Sequence, residues 1–202
     1  MKKSPPPKKV RIIGGFWRSR LVPVIEEAGL RPSTDRVRET LFNWLGPSLQ
    51  GSRCLDLFAG TGILGLEACS RGALHVTFVE SNPKIFLNLE KTIATLQPLP
   101  PNCSVDLKKM DAFKWLRMQS QIDYDVLFID PPFDSPSLLF DALKILGEFH
   151  KKTLRTIMYV ESPVRLENAA ILNDLQGWSI ERQLIAGAVK ASLLKQLVKE
   201  LK

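Results

Sequence analysis

The sequence predicts an α/β fold, with a mainly parallel sheet covered by helices on both faces, an antiparallel pair closing it, and a small N-terminal appendage. Three observations predict it. From Gly51 onward, strand-like apolar runs alternate with helical segments, the arrangement that parallel sheets require. Glycines at 60, 62 and 65 follow the first of those runs, as a strand-to-helix turn demands. The last apolar stretch, 178–197, contains Gly187 and opens without a clear helical stripe, so it reads as two antiparallel strands.

The elements follow in order. Residues 2–9 are rich in Pro and Lys and form an extended lead-in. Residues 10–24 place short β-branched pairs on either side of Gly14-Gly15, as a small hairpin does. Residues 1–30 are thus expected as a basic arm and hairpin, and 31–202 as the main domain. Arg31-Pro-Ser-Thr-Asp35 supplies helix-start chemistry, and Val37, Leu41, Trp44, Leu45 and Leu49 recur at helical spacing, which predicts a helix over 35–49. Strands are expected at 53–58, 75–80, 104–110, 124–130 and 156–161, making seven with the closing pair. Helices at 62–70, 83–96, 112–118 and 137–149 connect them. Gly72 ends the first, since glycine tolerates the left-handed conformation there. Asn82 and Pro83 start the second, as N-cap and first helical residue.

Composition narrows the function. The chain has 202 residues, 45% hydrophobic and 24% charged, so one folded domain is expected. Its +7 charge equals the excess within residues 1–25, which hold seven basic residues and no acid. A basic arm on a neutral body points to a polyanion, because Lys and Arg set along phosphates release condensed counterions. Lys2 and Lys3 are followed by Ser4-Pro5-Pro6-Pro7 and no apolar segment, which disfavours a secretory signal. No uncharged apolar run approaches the ~18 residues of a membrane span. A soluble, cytoplasmic monomer with no membrane association is expected. Cys54, Cys69 and Cys103 lack C-x-x-C spacing and read as reduced core residues. His75 and His150 have no Cys or His at ligand spacing, so no metal is expected.

Two motifs carry chemistry. In Asp56-Leu-Phe-Ala-Gly60-Thr-Gly62-Ile-Leu-Gly65, glycines let a ligand lie against the backbone at a helix N-terminus. Glu80, 20 residues after Gly60 at the end of the next strand, is placed to take ribose hydroxyls, so the motif indicates an adenosine cofactor. A nicotinamide cofactor gives Asp56 no evident task. A cofactor with a cationic amino-acid end does, because the carboxylate favours ammonium and sulfonium charge.

The second motif, Asp130-Pro131-Pro132-Phe133, ends the fourth strand at the carboxyl edge, where open α/β sheets bind ligands. The prolines stop the strand and leave Asp130 and the Pro131 carbonyl as acceptors, with Phe133 as a flat apolar surface. These features suit a planar base with an exocyclic amine. Its lone pair is delocalised into the ring, and acceptors that hold the N–H groups orient that pair for in-line attack on a methyl sulfonium.

Asp130 to Phe133 resembles the Asp/Asn-Pro-Pro-aromatic signature of S-adenosylmethionine-dependent methyltransferases that act on exocyclic amines. Three further blocks, at 11–21, 31–45 and 56–73, resemble the bacterial 16S ribosomal RNA guanine-N2 methyltransferases of the RsmD type. The likeness covers most of residues 10–135, and a weaker match falls at Ala186-Gly-Ala-Val-Lys190. The resemblance implies a Rossmann-like class I methyltransferase fold, S-adenosyl-L-methionine as cofactor, and 16S ribosomal RNA in the assembling small subunit as partner. It implies that Asp56, Phe58, Gly60, Thr61 and Gly62 line the cofactor loop, with Glu80 at the ribose, Asp111 and Ala112 at the adenine, and Ser81 as a further cofactor-binding residue. Asp130, Pro131, Pro132 and Phe133 would then hold the target guanine. Met110 stands where a glycine often precedes the aspartate, and Ser33 where Thr is more usual.

For the RNA, Arg11, Arg18, Arg20, Arg31, Arg36 and Arg38 supply charge, with Phe16 and Trp17 interleaved as stacking planes. An adenine N6 or cytosine N4 amine in DNA or RNA would fit the same acceptors. A non-catalytic RNA-binding module on this fold is the alternative from a different class.

Overall fold

The computed structural model describes residues 9–27, 30, 33–132, 136–149, 156–162 and 177–196. Strands β1 (Lys9–Arg11) and β2 (Leu21–Pro23) pair antiparallel as the expected hairpin. Helix α1 (Asp35–Leu45) starts where the Thr34 hydroxyl accepts the Val37 N–H at 3.4 Å. It stops short of the expected residue 49, because Gly46 turns to φ 101° and precedes a proline, which disfavours helical backbone before it.

The chain then alternates through β3 (Arg53–Asp56), α2 (Ile63–Ser70), β4 (His75–Glu80), α3 (Pro83–Thr95) and β5 (Ser104–Lys109). It continues through α4 (Ala112–Arg117), β6 (Val126–Ile129), α5 (Pro136–Glu148) and β7 (Ile157–Ser162), and closes with β8 (Trp178–Ala186) and β9 (Val189–Gln196). Asn82 caps α3 by accepting from Lys84 and Ile85 N–H, with Pro83 as the first helical residue. The expected strand–helix order is present, and the last apolar stretch is two strands.

The seven-stranded sheet runs β5-β4-β3-β6-β7-β9-β8. Strands β3 to β7 pair in parallel, and β9 runs antiparallel to both β7 and β8. Alternate residues of each central strand enter opposite apolar layers, as the two-residue period of a strand requires. Cys54, Phe78, Phe128 and Tyr159 face the layer built with α1, α2 and α3. Leu55, Val79, Leu127, Ile129 and Met158 face the layer built with α4 and α5. Each fully buried Leu or Phe contributes roughly 1.5–3 kcal/mol.

The hairpin joins the first layer. Val10, Ile12, Trp17 and Val22 are buried in the same apolar cluster as Leu41, Phe42 and Leu66. All of α2 is buried between sheet and hairpin. Among the described residues, no helix is long and apolar enough to cross a membrane.

The order places a switch point between β3 and β6. From β3 the chain steps outward to β4 and β5, then returns past β3 to β6 and β7. The connections leave β3 on opposite sides and open a crevice at the carboxyl ends, where such sheets receive ligands.

Candidate active site

Asp56 closes β3 at this switch point and is 2% exposed. Its Oδ2 accepts the Gly65 N–H at 3.0 Å, satisfying one of the orphan donors in the first turn of α2. Burial pushes its carboxyl up to about 8 against that hydrogen bond, and the Glu80 charge adds to the rise. The loop between them is tight. Gly62 caps α2 at φ 75°, and a Cβ there would meet Leu89 Cδ1 at 2.3 Å. Phe58 lies half-buried with its ring against Phe113 of α4, centroids 6.3 Å apart, and Thr61 is buried.

Glu80, at the end of β4, ties the neighbouring loops together. Its Oε2 accepts from Gly60 N–H at 2.9 Å and its Oε1 from Asn82 N–H at 2.7 Å. Ser81 beside it is exposed. Asp111 is exposed and caps α4 by accepting the Lys114 N–H at 2.9 Å, while Ala112 is buried. The ends of β4 and β5 are joined by the Met110 N–H donating to the Glu80 carbonyl at 3.1 Å.

Asp130 follows β6 directly. Asp56 and Phe128 are register partners, so Asp130 stands one pleat beyond the level of Asp56 on the adjacent strand. Pro131 is buried and Pro132 exposed, while Phe133 lies outside the described residues. Asp130 Oδ2 lies 3.3 Å from Ser33 Oγ. Burial raises the Asp130 carboxyl well above the usual range, and the Glu161 and Asp56 charges raise it further. Among the described residues, no group of three His, Cys, Asp or Glu is arranged to hold a metal. A cleft of about 390 Å³ lined by Ile25, Glu26, Glu27, Lys84, Leu87, Asn88 and Lys91 lies elsewhere, and none of Asp56, Glu80 or Asp130 borders it.

The structure brings Asp56, Glu80, Asp111 and Asp130 to one sheet edge, and it divides the basic and aromatic candidates. Arg11, Arg18, Arg20 and Arg36 are exposed, as is Phe16, and Arg31 lies outside the described residues. Two RNA-contact expectations are corrected. Arg38 is fully buried: its Nη1 donates to the Arg11 carbonyl at 2.9 Å, Nε to the Ser33 carbonyl at 3.3 Å, and Nη2 pairs with Asp35 at 2.6 Å. Trp17 is 2% exposed and its Nε1 donates to the Pro98 carbonyl at 3.3 Å. Both are spent on seating the hairpin.

Sequence reasoning missed Glu67, Glu161, Tyr159 and Phe113. Glu161 carried the signal that identified Asp56, Glu80 and Asp130, an acid at the carboxyl end of a buried strand. Its Oε1 accepts from Ser33 and Tyr159.

The sheet order, the glycine loop and the acids at the strand ends define the class: an S-adenosylmethionine-dependent methyltransferase fold. A putative S-adenosylmethionine-dependent methyltransferase from Streptococcus mutans shares that fold, with a TM-score of 0.67 at 17% identity, over 96% of this chain and 57% of that one. The family model described as "Conserved hypothetical protein 95" matches residues 10–195. The chain belongs to that family, and it is similar to the ribosomal RNA small subunit methyltransferase D of Escherichia coli (strain K12), 39% identical over 188 residues, 93% of this chain and 90% of that protein. The solved structure of a putative methyltransferase, yhhF, from Escherichia coli superposes with a TM-score of 0.76 at 37% identity, covering 95% of this chain and 99% of that one.

Proposed function

We propose that this chain methylates the exocyclic N2 amine of a guanine in 16S ribosomal RNA of the assembling small subunit, using S-adenosylmethionine. The observation that carries the reading is the adjacency of Asp56 and Asp130, one at each side of the switch point between β3 and β6. The residues fit the cofactor: Asp56 is a buried carboxyl that accepts a backbone N–H, and a sulfonium and an ammonium would supply the positive charge that this hydrogen bond does not. The cofactor supplies a methyl group activated by positive sulfur, which leaves with the electron pair of the broken bond.

The protein's own residues do the rest. Glu80 would take the ribose hydroxyls with the lone pairs that Gly60 and Asn82 leave open, and Asp111 the adenine amine. Asp130 and the Pro131 carbonyl would accept from the two N–H groups of the guanine amine, turning the nitrogen lone pair towards the methyl carbon. Holding the reactants in that geometry is the main source of rate, since no covalent intermediate with the protein is needed. Arg11, Arg18, Arg20 and Arg36, with Phe16, would hold RNA on the hairpin side, and a paired guanine would leave its stack to enter.

The test is transfer of a labelled methyl group to unmodified small subunits and to naked 16S RNA, followed by nucleoside analysis. N2-methylguanosine is the expected product. Methyladenosine or methylcytidine would contradict the proposal.

A further inference from the structure

Behind Asp130 stands a second carboxyl that base binding leaves without a task. Glu161, on β7, is 2% exposed, and its Oε1 accepts from the Tyr159 hydroxyl at 2.8 Å and the Ser33 hydroxyl at 2.5 Å. The same Ser33 oxygen lies 3.3 Å from Asp130 Oδ2. A serine hydroxyl has one proton to give. While Glu161 receives it, Ser33 can meet Asp130 only as an acceptor, which requires a proton on Asp130. When Ser33 turns to donate to Asp130, a proton must sit on Glu161 for that contact to persist. The two arrangements differ by one proton moved along the line from Asp130 through Ser33 to Glu161.

We propose that Ser33 and Glu161 are positioning residues of the transfer reaction, which hold the Asp130 carboxyl at the target amine and take over the proton that amine sheds. This rests on the reading of the site as an amine methyltransferase. In the transfer, a nitrogen–carbon bond forms as the carbon–sulfur bond breaks, with that bond's electron pair staying on sulfur. One N–H bond then gives its electron pair to nitrogen and its proton to the Asp130 carboxylate. With the amine's N–H groups donating to Asp130, both carboxylates start ionised and Ser33 donates to Glu161; Ser33 then accepts the transferred proton at Oγ as it passes its own to Glu161, so charge and atoms balance.

The surroundings fit this task. Asp130 is faced by Glu161 from β7, Asp56 from β3 and Ser33 ahead of α1. Glu161 is faced by Tyr159 on its own strand, by Ser33, and by the Arg38 guanidinium of α1, which favours its ionised form against the effect of burial. Arg38 also donates to the Ser33 carbonyl at 3.3 Å, so the serine is fixed from behind.

The experiment measures methyl transfer to unmodified small subunits as a function of pH for the wild type, Glu161→Gln, Ser33→Ala and Ser33→Thr. Calorimetric S-adenosylmethionine affinity and thermal unfolding are measured on each. Glu161→Gln is expected to lower kcat by roughly 10²-fold, with cofactor affinity unchanged. The acid limb should move to lower pH, since losing the neighbouring charge lets Asp130 ionise more readily. Ser33→Ala should lower kcat similarly without raising KM for the subunit, and Ser33→Thr, which keeps the hydroxyl, should restore it. A loss of rate with the acid limb unmoved, or variants as fast as the wild type, would overturn the proposal. If Glu161→Gln fails to fold, equal rates for Ser33→Ala and Ser33→Thr overturn it, and restoration by Thr supports it. A wild type that transfers no methyl group would overturn the methyltransferase reading along with this one, whereas unaffected variants of an active wild type overturn this one alone.

Discussion

Asp56 illustrates how a residue can weaken the fold that it equips. Its carboxyl, pushed up to about 8, holds its proton more tightly in the folded chain than the ordinary carboxyl of an unfolded one. Its contribution to stability is therefore complete at acid pH below the usual carboxylate range, and is lost as pH rises through about 8. The ionised form is the one that attracts a cationic ligand, so affinity for S-adenosylmethionine should rise with pH over the same interval. Asp56→Asn keeps an acceptor for the Gly65 N–H and removes the charge. It should raise the Tm of the ligand-free protein at alkaline pH, by roughly 2–4 °C for each kcal/mol recovered, and weaken cofactor binding. Thermal unfolding and calorimetry on the same samples check both signs. Glu80→Ala should weaken cofactor binding by ~1–3 kcal/mol, the worth of a lost charge-assisted partner. Unaltered calorimetric affinity would leave Glu80 only its contacts with Gly60 and Asn82.

At the scale of elements, the hairpin is held against α2 by buried polar groups. Glu67, with a fully buried side chain, accepts the Ile13 and Gly14 N–H groups at 2.7 and 2.8 Å and pairs with Arg71 at 2.9 Å. Phe16 N–H donates to the Ser70 carbonyl at 2.7 Å, and a Cβ on Gly15 would lie 1.8 Å from that oxygen, so only glycine fits the turn. Glu67→Ala would remove the carboxylate that faces the Arg38 and Arg71 guanidinium groups and leave two backbone donors without their acceptor, at a cost of ~3–5 kcal/mol in urea unfolding. Arg18→Ala, on the exposed side, should leave stability alone, reduce RNA affinity, and lower its salt slope by about 1. Charge counting alone treats Arg18 and Arg38 alike. The helical pattern separates them, because Arg38 shares the buried face with Leu41 and Phe42 at i+3 and i+4. Asp35 and the Ser33 carbonyl are local partners of that guanidinium, but Glu67 and the Arg11 carbonyl come from other elements, which local pattern does not reveal.

For the whole molecule, strand–helix alternation was legible because strands buried on both faces read as near-continuous apolar runs, as in residues 126–129 and, with Thr77 as the one polar residue, 76–79. Strand order was less so, since nothing local to β6 states that it pairs with β3 and not with β5. The site followed the same division. Asp56 and Asp130 announce themselves through the Gly60-Thr61-Gly62 turn and the Pro131-Pro132 pair that follow them, whereas Glu161, with a single proline two residues on, gains meaning only once β7 lies next to β6. Methyl transfer here requires the switch point to bring a methyl donor and an amine acceptor to neighbouring strand ends. A crystal structure with S-adenosylmethionine bound measures this most directly. The expected result is the cofactor's ammonium beside Asp56, its ribose at Glu80, and its methyl carbon directed at the Asp130–Pro131 edge. A donor lodged in the cleft between residues 25–27 and α3, or a methyl group turned away from Asp130, would contradict it.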